Sequence, residues 1–194
     1  MMRVLCFPAL AFSLVLAFAV PGRAVPVDAV LKSILGSVQT APPGSTKFAA
    51  VTPGTKLPSG TTIKTGPDSE AIIVPTPGSA IRLDENTTLE IDGMSFEKDK
   101  SNNVTERKAV LNLTSGTVTS LIDHSTPAVT DFTVRTPQGA ASARGTFYAV
   151  TVKDGQTYLK VEEGKVGVTS TAKPAAAAAP KPPVPVPAAA KPKS

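Results

Sequence analysis

Apolar residues along this chain recur in short runs separated by turn residues. From Ala41 to Val168, segments rich in Val, Ile and Thr alternate with Gly, Pro, Asn and Asp. That texture predicts short strands rather than helices. Candidate strands fall at residues 47–51, 61–65, 71–75, 80–83, 87–94, 110–113, 116–121, 131–136, 140–143, 146–153, 156–162 and 165–169. Pro-Gly at 53–54 and 77–78, Ser-Gly at 59–60 and 115–116, and Asp-Gly at 154–155 supply the fixed or positive φ that turns need. "VTVKDGQTYLKV" is the clearest hairpin, with Asp154-Gly155 fitting a two-residue type I′ turn.

Two segments depart from this texture. Residues 27–40, "VDAVLKSILGSVQT", carry apolar positions at 27, 30, 31, 34, 35 and 38, the spacing of a short amphipathic helix with Gly36 near its end. Residues 96–108, "FEKDKSNNVTERK", cluster charges without a period, which predicts a solvent-facing loop or a long hairpin tip. The expected architecture is one all-β domain of many short strands, twisted and solenoid-like or sandwich-like. It carries a short N-terminal helix and a disordered C-terminal tail.

The two ends read differently. Met1-Met2-Arg3 precedes 17 largely apolar residues, Val4 to Val20, and then Pro21-Gly22-Arg23-Ala24. A basic start, an apolar centre and small residues before a cut after Ala24 describe a secretory signal peptide over residues 1–24. An uncleaved anchor is the rival, since about 17–25 apolar residues span a bilayer. Residues 170–194 are mostly Ala, Pro and Lys, a composition that buries no core. The division expected is a signal peptide (1–24), a helix and linker (25–45), a β-domain (46–169) and a tail (170–194). An exported protein of a bacterial envelope, periplasmic or extracellular, follows.

Charge and cysteine content narrow the functions. Setting aside Arg3, Arg23 and the tail lysines 173, 181, 191 and 193 leaves 14 basic residues against 15 acidic ones, so residues 25–172 are nearly neutral. That gives no basic stripe for nucleic acid, and the absence of Trp argues against a stacking platform. The only cysteine, Cys6, lies in the signal segment. The mature chain therefore lacks disulfides, thiolate ligands and a thiol nucleophile.

Catalytic chemistry finds little support. His124 is the only histidine, and "LIDHSTPAV" reads as a polar loop with no nucleophile elbow. Asp84, Glu85, Glu90 and Asp92 suggest a weak calcium site or, more simply, a solvated strand face. Asn86, Asn103 and Asn112 head N-x-Thr triplets, which arise often by chance. No cofactor or metal is called for.

One stretch remains, "TPQGAASARGTFYAV", Thr136 to Val150. A phosphate loop needs a helix after its glycines, but Gly145-Thr146 leads into the strand-like "FYAVTV". The packing reading is a small-residue strand that lets another layer approach, with Gly145 at a bend or bulge or on a backbone too crowded for a Cβ. Arg144, Gly145 and Thr146 are thus the candidate site, partner-binding or structural. Arg144 either faces a partner or pairs with Glu162 or Glu163.

Four segments, in order, resemble the periplasmic domain of the FecR family: "LPSGTTIKTGPDSEAIIVPTPGSAIRLDENTTLEI" (57–91), "AVLNLTSGTVTSLI" (109–122, its central hairpin), "FTVRTPQGAASARGTFYAVTV" (132–152) and "TYLKVEEGKVGV" (157–168). The resemblance implies an envelope-located all-β domain without enzyme activity. In signalling members, this domain senses an outer-membrane transporter and a cytoplasmic segment acts on a sigma factor. Here only three residues precede the apolar segment, and a Pro/Ala/Lys tail follows the β-domain. Sigma-factor regulation is therefore not carried over. A binding or scaffold module is expected, with an envelope protein or surface polymer as partner. Nucleic acid is not expected, and membrane only if the N-terminal segment is retained.

Overall fold

The computed structural model describes residues 26–170; the segment expected to be a signal peptide and the expected disordered tail beyond Ser170 lie outside them. The described residues form fourteen strands: β1 (Ala29–Leu35), β2 (Val38–Ala41), β3 (Ala49–Ala50), β4 (Lys56–Leu57), β5 (Thr62–Thr65), β6 (Glu70–Val74), β7 (Ser79–Leu83), β8 (Thr88–Lys98), β9 (Val104–Ile122), β10 (Thr130–Thr136), β11 (Gly139–Ala143), β12 (Phe147–Lys153), β13 (Gln156–Glu163) and β14 (Val166–Ser170). One 3-10 turn, Pro127–Val129, interrupts them. The all-β expectation holds.

The strands make one sheet that curls on itself about β9. On one side the order is β3-β2-β5-β8-β9-β10-β11-β14; on the other it is β4-β1-β6-β7-β9-β12-β13. Every pairing is antiparallel except that of β9 with β10. The first half of β9 pairs with β8 and β10, and its second half with β7 and β12.

This long strand corrects two expectations. Ser115-Gly116 is not a turn, and residues 109–122 are not a hairpin; one strand runs through both. Gly116 bends it at φ +89°, where a side chain would collide with Thr87. Across the bend the buried face changes parity, from Ala109, Leu111 and Leu113 to Val118, Ser120 and Ile122. A strand that kept strict alternation would turn its apolar side outward in the second layer. The buried Thr87 fixes the corner together with the half-buried Thr117. The Thr87 hydroxyl donates to Thr117 O (3.2 Å), and the Thr117 amide donates to the Thr87 hydroxyl (3.0 Å).

The helix expected over residues 27–40 is a third correction: the segment forms β1 and β2. In the pairing of β1 with β6 the register shifts between Leu31 and Ser33. A bulge offsets the period of two, so apolar residues at 30, 31, 34 and 35 imitate helical spacing. Gly36, at φ +73°, then turns the chain into β2. Residues 96–108 prove to be a long hairpin: β8 and β9 extend through most of the segment, and Asp99 caps the tip by accepting from the Ser101 and Asn103 amides. Asp154 and Gly155 both have positive φ, as a type I′ turn requires.

The core is a single cluster between the two layers. Leu31, Ile73, Ile81 and Leu83 meet Ile63, Leu89, Ile91, Leu111 and Leu113, all at most 1% exposed.

Candidate functional site

β11 lies between β10 and β14, and its small residues divide by face. Ala141 and Ala143 point into the core; Ser142 lies on the outer face, where its hydroxyl shares a hydrogen bond of 2.9 Å with Thr133. Gly139 passes so close to the Thr169 carbonyl that a side chain would strike it. The alanines thus suit two layers at close approach.

At the end of β11, Gly145 and Thr146 are taken up by neighbouring loops. Gly145 has φ +89°, and a Cβ there would stand 2.6 Å from His124 Cα and Cβ. Thr146 is buried; its hydroxyl donates to Lys165 O (3.2 Å), and its carbonyl accepts from the Ile122 amide (3.1 Å). Gly164, also left-handed at φ +92°, packs against Gly145 O and the Thr146 side chain. Three chain segments therefore meet at these two residues: 122–124, 145–146 and 164–165.

Arg144 differs from its neighbours. It is exposed and makes no hydrogen bond or ion pair among the described residues. Neither Glu162 nor Glu163 pairs with it, and Glu162 is held by Lys160 at 2.5 Å. Arg144 borders an open groove of about 720 Å³, lined also by His124, Asp131, Thr133, Lys165 and Gly167.

The loop bearing His124 is built by Asp123. Its carboxylate accepts from the Ser125 amide and the Ser125 hydroxyl, both at 2.8 Å. Those two bonds hold the Asp123 carboxyl below its ordinary range, aided by the charges of Arg107 and His124. Asp123 is committed to this turn, and no hydrogen bond links His124 to a serine or carboxylate among the described residues. The arrangement has no paired base and nucleophile.

Sequence reasoning passed over Arg107, which lay within the charged 96–108 segment. It is 4% exposed and approaches Asp123 from beneath the loop, at 3.4 Å to the carbonyl and 3.7 Å to the carboxylate. Its Nε has no hydrogen-bond partner among the described residues, and it packs over Gly78, where a Cβ would sit 2.8 Å from Nη2. Nothing in the sequence separates Arg107 from the exposed charges around it, because its burial depends on the loop that folds over it.

The acidic residues singled out for calcium disperse. Asp84 accepts from Arg82 (2.9 Å), Glu85 from the Asp68 amide (2.8 Å) and Asp92 from Arg135 (2.5 Å). No group of three or more potential metal ligands occurs among the described residues.

Comparison with known proteins places these features in context. The family profile described as FecR protein matches residues 61–167. No curated protein matches the chain. Among solved structures, the chain is similar to the crystal structure of a "putative anti-sigma factor" from Parabacteroides distasonis, at 16% identity and a TM-score of 0.41. That similarity covers 58% of this chain and 48% of the other, so the chain spans less than half the length of that protein.

Proposed function

Because this chain belongs to the FecR family, we propose that it works as an exported, non-catalytic β-domain, a binding or scaffold module of the cell envelope. The single observation behind this reading is the contrast within one tripeptide. Gly145 and Thr146 are consumed by packing, while Arg144 beside them stands exposed and unpaired over a groove. An exposed arginine held on a rigid strand end is a common anchor for a partner. The same groove offers no acid, base and nucleophile set, which favours binding over chemistry. Family membership supports a role in envelope signalling, and the apolar segment Val4–Val20 supports the alternative of a sensor subunit kept in the membrane and linked to sigma-factor regulation.

Fractionation of cells expressing the full chain separates these readings. The module reading expects a mature protein beginning at Val25 in the periplasmic or extracellular fraction. Intact protein in the inner membrane selects the sensor. Recovery in the cytoplasm alone overturns both.

A further inference from the structure

At one end of the outer face of β10, β11 and β14 the charges fall in one row, while Arg135 lies apart toward the other end, paired with Asp92. The last ladder pair of β11 and β14 is Ala143 with Val166, and one more step sets Arg144 opposite Lys165. The last pair of β10 and β11 is Phe132 with Ala143, and one more step sets Asp131 on the other side of Arg144. Asp131 in turn pairs with Lys108 on β9. The row thus reads Lys108, Asp131, Arg144, Lys165: one carboxylate among three cations.

Two cations that face each other one step past the end of a ladder repel, as like charges opposite each other within one do. No carboxylate relieves this pair: neither Arg144 nor Lys165 has an ion-pair partner among the described residues. The one nearby acid, Asp131, accepts from the Thr133 hydroxyl at 3.4 Å. The neighbouring row on the same face is Thr133, Ser142 and Gly167. Its two hydroxyls share a hydrogen bond that uses one proton, and the other, which Thr133 gives to Asp131, is the single one that can turn outward. Gly167 leaves the third place bare. A Cβ built there meets nothing closer than 3.8 Å, so space stands open above the backbone beside the cations. His124 walls the far side, on the loop that Gly145 admits.

A planar guanidinium, an ammonium and one hydroxyl proton around an open floor match the donor needs of a phosphate or carboxylate. We infer that the groove between Arg144, Lys165 and the Thr133–Ser142 hydroxyls binds an oxyanion carried by the ligand of this module. The inference rests on the binding-module reading and names the chemistry of its ligand.

The test titrates the mature chain with pyrophosphate and, separately, malonate, following amide shifts by NMR. The two arms distinguish a phosphate ligand from a carboxylate one. Binding in about the millimolar range is expected for at least one. Arg144→Gln and Lys165→Gln should each weaken it about tenfold, the usual scale for loss of one charge-assisted contact. Gly167→Val should abolish binding by filling the floor without changing charge, and circular dichroism checks that its fold is intact. Lys108→Gln, beyond Asp131, should change affinity by less than about twofold.

Absence of binding by either probe at 10-millimolar order overturns the inference, as does equal weakening by Lys108→Gln and Arg144→Gln, which marks diffuse attraction. Unchanged affinity in Gly167→Val overturns it too. None of these outcomes touches export, so the broader reading stands or falls separately.

Discussion

Tyr148 on β12 and Val161 on β13 are cross-strand partners, yet the tyrosine is 0% exposed and the valine 42%. In the other layer Ala141 on β11 pairs with Val168 on β14, and exposure rises from 6% to 66%. One ladder step thus takes each layer from a sealed interior to an open one. Toward β5, β6, β8 and β9 the two layers press inward-facing Leu and Ile together. Toward β13 and β14 they diverge around a cleft of about 150 Å³, lined by Ala140, Val150, Leu159 and Val168. Stability resides in the first region. The second end, with the Arg144–Lys165 groove on its outer face, has backbone order from its ladders without a filled interior.

Matched truncations should break the two regions apart most clearly. Leu111→Ala removes a side chain 1% exposed in the sealed region and should cost about 2–5 kcal/mol. Val168→Ala, at the open edge, should cost about 0.5 kcal/mol or less. Urea unfolding measures both, and a Val168 effect approaching that of Leu111 would mean that the cleft is filled in solution.

Tyr148 marks the boundary and titrates accordingly. Burial pushes its phenol up to about 12 from the ordinary 10.0, the nearby Ser120 hydroxyl opposing the shift. Folding therefore favours the neutral phenol. The associated stability is fully present below pH 10 and is lost as pH rises toward 12, about 2–3 kcal/mol across that window. Tyr148→Phe should remove this loss. Although Ser120 lies near, no hydrogen bond of acceptable geometry engages either the Tyr148 or the Ser120 hydroxyl among the described residues. At neutral pH the variant should therefore be at least as stable as the parent. Chemical unfolding of both proteins from pH 8 to 12 checks it.

The smallest effect lies on the outer face. Lys165→Glu sets a carboxylate opposite Arg144 and should raise stability by about 0.5 kcal/mol. The same change should suppress oxyanion binding, visible as a raised Tm with a lost titration. A gain in stability without loss of binding would move the anion site elsewhere.

How far the sequence revealed this protein varies by element. Strand positions from 61 onward were legible because Val, Ile and Thr alternate with turn residues of known φ, and Asp154-Gly155 specified its hairpin outright. The helix over 27–40 misled because a bulge against β6 shifts the apolar period, and only the partner strand reveals a bulge. Ser115-Gly116 looked like a turn because a positive-φ glycine serves a bend within a strand as readily as a reversal between strands. Gly145 stood out in sequence as a backbone too crowded for a side chain, but not that His124 crowds it.

Local patterning by itself determined that this is an all-β chain, because alternation and turn chemistry are written residue by residue, while the FecR family was legible only as a resemblance of four ordered segments. Pairing between distant strands decided the rest: that β9 crosses from one layer to the other, that Arg107 is buried under a loop, and that Arg144 and Lys165 border one groove without ion-pair partners among the described residues. Those facts depend on register, and register is set by which strands come together, a property no short stretch of sequence contains.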